Sequence, residues 1–83
     1  MTEIETKDIF RGAYLLCCGG RLSSTRMEGN RQMVFVISGQ GLVERDLSYR
    51  MGQALVNPLQ LRETLNLLRD IIFEKTRKGR THG

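Results

Sequence analysis

The second half of the chain holds an apolar stripe that only a helix can gather, since Leu61, Leu65, Leu68 and Ile72 repeat at +4, +7 and +11. Asn57 and Pro58 stand where such a helix wants its N-cap and its first residue, because proline there gives up an N–H that would be unpaired in any case. Leu67 and Ile71 widen the stripe, Arg62, Glu63, Arg69, Asp70 and Glu74 take the wet side, and Lys75 and Arg77 suit the negative end of the helix dipole. With 83 residues there is room for one core, so the remainder of the chain has to cover this stripe.

Upstream, Thr6 offers an N-cap and Asp8 a first-turn acid for a helix from about Lys7 to about Cys18. Ile9, Ala13, Leu16 and Cys17 form its apolar face, and Phe10 and Tyr14 broaden it. Gly19-Gly20 supplies the left-handed residue that ends it. Arg21–Glu28 and Arg31–Ile37 then read as a β-hairpin around Gly29-Asn30. A two-residue loop there pairs Glu28 with Arg31, Arg26 with Met33, Ser24 with Phe35 and Leu22 with Ile37.

Past Ser38-Gly39-Gln40-Gly41, the residues Leu42, Val43, Asp46, Leu47 and Arg50 suggest a short amphipathic helix ending near Met51-Gly52. Gln53–Val56 is extended ahead of the proline, with a short third edge strand as its alternative. The expected fold is therefore a small α+β domain of order αββαα. Its antiparallel hairpin has helices packed mainly on one face. Residues 1–5 are expected to be a flexible lead-in, 6–75 the domain, and 76–83 a disordered basic tail.

Net charge is +4, but Lys75, Arg77, Lys78 and Arg80 supply all of it, because the other nine bases face nine acids. The body is neutral, and the basic balance says little about its partners. No apolar run is long enough for a membrane span, and the polar, acidic start is unlike an export signal. Cys17 and Cys18, adjacent in a helix, point about 100° apart and cannot make an ordinary disulfide, which suits a reducing cytoplasm.

Chemistry finds little foothold. Val34–Ser38 followed by Gly39-Gln40-Gly41 has the outline of a strand, a Gly-x-Gly turn and a helix. However, Glu44 holds the third glycine position, and its charge opposes a pyrophosphate. The cysteines have no base in reach, since the single His82 lies in the tail, and two cysteines with one histidine cannot complete a zinc site. Glu63 and Asp70 lie about 10 Å apart along their helix, too far for joint acid–base work. No cofactor, metal or enzymatic activity is expected.

Two surfaces remain. Arg21, Arg26 and Arg31 with Ser23-Ser24-Thr25 could contact phosphates, although positive charge on a sheet edge also blocks aggregation. Met33–Ile37 is apolar on both faces of its strand, which points to an interaction face over Met27, Val34 and Val36.

Thr6-Lys7-Asp8-Ile9, Val34-Phe35-Val36 and Gly52-Gln53-Ala54-Leu55-Val56-Asn57-Pro58 resemble a family of short prokaryotic domains of unknown function, over residues 5 to about 74. The resemblance implies an αββαα unit and brings no activity or site residues. Gly39 and Gly41 depart from the acidic turn into helix 2 expected of that family. The function expected is a cytoplasmic, non-enzymatic protein-interaction or assembly module, binding itself as a homodimer or another protein. The alternative is a nucleic-acid-binding accessory protein that uses the hairpin arginines and the tail.

Overall fold

The computed structural model describes residues 2–29 and 32–80, the last five by backbone alone. Its elements in chain order are β1 (Thr2–Thr6), α1 (Ile9–Cys17), β2 (Arg21–Glu28), β3 (Gln32–Gly39), α2 (Leu42–Arg50) and α3 (Pro58–Arg80). The expected α+β class holds, with a three-stranded antiparallel sheet in the order β1-β3-β2.

The third strand comes from the chain's start rather than from Gln53–Val56, which takes no strand. Thr2, Ile4 and Thr6 alternate with exposed Glu3 and Glu5, and Ile4 sits opposite Ile37 in the core layer. That period-2 pattern of β-branched residues and glutamates is a half-buried strand, not a loose lead-in. The C-terminal helix also runs on to Arg80, beyond the expected start of the tail at residue 76, while residues 81–83 lie outside the described residues.

The hairpin register differs from expectation over most of its length. Glu28 pairs with Gln32, so the loop is three residues long, and Met27, Arg26, Thr25 and Ser24 face Met33, Val34, Phe35 and Val36. A bulge between Leu22 and Ser24 removes the offset, and Leu22 meets Ile37 as expected. A one-residue slip exchanges the two faces of a strand. The observed register puts Thr25 and Met27 over the core and turns Ser24 and Arg26 to the open face, whereas the two-residue loop would have done the reverse.

Phe35, Ile37, Leu15, Leu42 and Leu68 are the large side chains sealed in the core, joined by Met33, Ala13 and Tyr14. Asp8, not Thr6, caps α1: its Oδ1 accepts from the N–H groups of Phe10 at 2.9 Å and Arg11 at 3.3 Å. Thr6 is still a strand residue opposite Phe35, and its Oγ1 accepts from the Asp8 N–H. At the other end, Gly19 takes φ +96° and Gly20 lets the chain pass so close to the core that a Cβ would stand 2.7 Å from Ile37 and 2.8 Å from the Leu15 carbonyl oxygen. The cap on α3 is as expected, with Asn57 Oδ1 accepting from Leu59 and Gln60 N–H.

Helix α3 packs along α1 and sends Leu68 into the core, with Leu61, Leu65, Ile71 and Ile72 partly buried against it. Cys17 and Thr64 meet at 3.5 Å across the same helix pair, so the thiol packs structurally, and both cysteines are free.

Candidate functional site

The open face of the sheet is made by the residues that pair on the side away from the helices. These are Glu3 and Glu5 of β1, Arg21, Ser24, Arg26 and Glu28 of β2, and Gln32, Val34, Val36 and Ser38 of β3. Lys7, just past β1, reaches over to donate to Gln32 Oε1 at 3.1 Å and pairs with Glu28 at 2.6 Å. Arg26 donates to Glu5 at 2.8 Å and lies 3.6 Å from Glu28. The result is a chain of alternating charge, Lys7, Glu28, Arg26, Glu5, laid across the half of the sheet nearer the hairpin loop.

That chain explains how β3 can be apolar on both sides without a second layer. Val34 is 3% and Val36 6% exposed, because long charged side chains lay their aliphatic stems over them and keep the charged heads wet. Hydrogen bonds from Arg26 and Lys7 respectively hold the Glu5 and Glu28 carboxyls below their ordinary range. Val34 and Val36 therefore do not form the exposed interaction face expected of them, and only Met27, on the opposite side of the hairpin, is substantially exposed.

The three hairpin arginines do not form a free row either. Arg26 is held between two glutamates, Arg21 is exposed opposite Ser38, and Arg31 lies outside the described residues. With Lys7, Arg21 and Arg26 against Glu3, Glu5 and Glu28, the described charges of this face balance. A shallow polar hollow of about 160 Å³ is lined by Glu5, Thr6, Lys7, Arg26, Glu28 and Val34, and its four charged side chains are already paired with one another.

Helix α2 presents the opposite situation. Its N-cap is Gly41 at φ +71°, a conformation that suits glycine, and no side chain caps it. The strand, turn and helix outline around Gly39 and Gly41 is real, and Glu44 stands in the first turn of α2. Leu42 and Asp46 are buried and Tyr49 half-buried, which fixes the inward side. Arg11 donates Nε to Asp46 Oδ1 and Nη2 to Asp46 Oδ2, both at 2.6 Å, a two-pronged pair that joins α1 to α2. Arg11 holds the Asp46 carboxyl below the usual range, and Asp46 raises Arg11 in turn. Tyr14 and Tyr49 stack beside the pair with ring centres 5.6 Å apart.

The sequence pattern alone would bury Val43 and Leu47 with Leu42, and here the Arg11–Asp46 pair wins. It turns the 42/46/49 side inward and leaves Val43 60%, Leu47 54% and Met51 61% exposed. These three stand at i, i+4 and i+8, one stripe on the outer side of the helix. In the connector that follows, Ala54 and Val56 pack against the core while Leu55 points out, 90% exposed. A buried acid within helix 2 was the signal in the sequence, legible only with Arg11 known to face it.

A groove of about 280 Å³ on α3, lined by Leu67, Asp70, Ile71, Glu74 and Lys75, is smaller than the usual small-molecule site. Among the described residues no group of His, Cys, Asp and Glu could hold a metal ion, and no helix is long and apolar enough to cross a membrane. No family model, curated protein or solved structure matches the chain.

Proposed function

We propose that this protein is a non-enzymatic protein-interaction or assembly module of the reducing cytoplasm, and that its docking face is the outer side of α2 with the connector after it. The observation that carries this is the rotation of α2. A helix that buries an aspartate and leaves Val43, Leu47 and Met51 in water departs from the local hydrophobic pattern, and such departures concentrate at working surfaces. Scattered exposed apolar residues are ordinary, whereas an aligned stripe marks a contact. The free thiols of Cys17 and Cys18 suit the compartment. The resemblance to domains of unknown function contributes no activity, so geometry alone supports the proposal.

A photo-reactive residue at position 47, tested in the cells that make the protein, should give adducts of discrete mass on irradiation. The same residue at exposed Arg69 on α3 should not. Absence of adducts at 47 above those at 69 would defeat the proposal.

A further inference from the structure

We propose that α3 carries a second working surface, independent of the docking face on α2, which binds single-stranded nucleic acid along a line of arginines with Phe73 among them. Arg62, Arg69 and Phe73 stand at i, i+7 and i+11 of one helix, and position 80 continues the series at i+18. At about 100° per residue these positions fall within about 40° of one another, in a straight line about 27 Å long. Glu63, Asp70 and Glu74 repeat the same spacing one residue later, so the acids form a row of their own about 100° round the helix. Helices that use charge only for solubility set acid against base three or four residues apart. No acid stands three or four residues from Arg62 or Arg69. Both are exposed, and neither makes an ion pair among the described residues. The helix dipole does not account for them, since it draws cations to the last turn and these two lie about one and three turns from the start.

A row of guanidinium groups calls for a partner whose negative charge repeats along a line, and the phosphodiester backbone is such a partner. Phe73 is 62% exposed. Set among the arginines, it offers a ring face to an unpaired base, the arrangement by which single strands are held with little regard to sequence. A duplex keeps its base faces stacked inside, so the ring favours the single strand. An anionic membrane fits less well. A helix bound to a bilayer surface sinks a wide apolar face, and α3 turns its own toward the core through Leu61, Leu65, Leu68 and Ile72. Exposed Leu59 and Leu67 lie about 60° and about 140° round the helix from the line, which leaves Phe73 as the one apolar residue on it. A protein partner is disfavoured because the centre of such an interface is poor in charged residues.

Fluorescence anisotropy of a labelled oligothymidylate of about 12 nucleotides, titrated with the full chain from about 50 mM to about 200 mM salt, tests this. The logarithm of the affinity should fall against that of the salt with a slope of about −2, roughly 0.7 for each arginine on the line. Arg69→Gln should weaken binding about fivefold at low salt and flatten the slope by about 0.7. Phe73→Leu keeps an apolar side chain but removes the ring, and should weaken binding about fivefold with the slope unchanged. Arg21→Gln removes an equal charge from the sheet and should leave the affinity nearly as it was. All three sites are exposed, and unchanged thermal unfolding would show that the fold is intact. Absence of binding at about 50 mM salt overturns the inference. So does an Arg21→Gln loss as large as that of Arg69→Gln, or a strand bound no more tightly than its duplex by a chain indifferent to Phe73→Leu. Retention on phosphatidylserine vesicles without binding to the strand overturns it in favour of a membrane. Nucleic acid in the cell varies in length, so crosslinks to it at position 69 form a smear that nuclease removes, not an adduct of discrete mass. The failure of either surface is therefore read without the other.

Discussion

Asp46 sets the rotation of α2 because its carboxylate, buried against Arg11, cannot be exchanged for an uncharged group without leaving a guanidinium short of partners. Asp46→Asn should therefore cost about 2–3 kcal/mol in urea unfolding, near the low end for buried pairs because Arg11 keeps some contact with water. The pH dependence has a definite sign. A carboxyl held low in the folded state contributes fully above the unfolded-state value of about 3.9 and loses its contribution as pH falls through the lower folded value. Thermal unfolding on descending from pH 6 should thus fall more steeply in the native chain than in Asp46→Asn, and parallel curves would remove the ion pair from that role. Gly20 acts through absence: a Cβ would press into Ile37 and the Leu15 carbonyl. Gly20→Ala should destabilise by about 2 kcal/mol, as overpacking of a fixed backbone does, with denaturation midpoints as the check.

Among the elements, α3 was legible because its cap and its stripe agree, with Asn57 Oδ1 receiving the first N–H groups and Leu68 at the centre of the core. The close of α1 at Gly19-Gly20 was legible for the same reason. Strand β1 was not, because its alternation is carried by two threonines and one isoleucine, too polar to stand out until Ile37 is known to lie opposite. The register of the hairpin is hidden by its loop: Gly29-Asn30 invites a two-residue turn, yet that turn would send Arg26 into the core beside Met33. The three-residue loop avoids this, and the bulge at Ser23 restores the pairing at Leu22. Deleting Ser23 should leave every other pair in place and straighten β2. The variant is then expected to remain folded but to associate through its newly regular edge, with light scattering rising with concentration. Loss of the fold instead would show that Ser23 and its hydrogen bond to Ser38 are indispensable to the sheet.

For the molecule as a whole, the candidate surface could not be read from the pattern of one element, since the face α2 exposes depends on a residue 35 positions away on α1. The charge balance of the open sheet face gives a further expectation. A short DNA duplex should leave the amides of Arg21 and Arg26 unshifted in NMR spectra at moderate salt, because Arg26 is already held by Glu5 and Glu28. Shifts there that persist as salt rises would favour nucleic-acid binding over the module proposed here. The strand order β1-β3-β2 also gives the chain a timetable. β2 meets β3 across one short loop, whereas Ile4 must wait for Ile37, with a helix and a whole strand in between. Loop closure favours the near partner, so the hairpin is the early event and β1 is the late one. On a ribosome this means that β1 emerges well before its partner, and until Ile37 appears it is a strand without its neighbour, its outer positions held in water by Glu3 and Glu5.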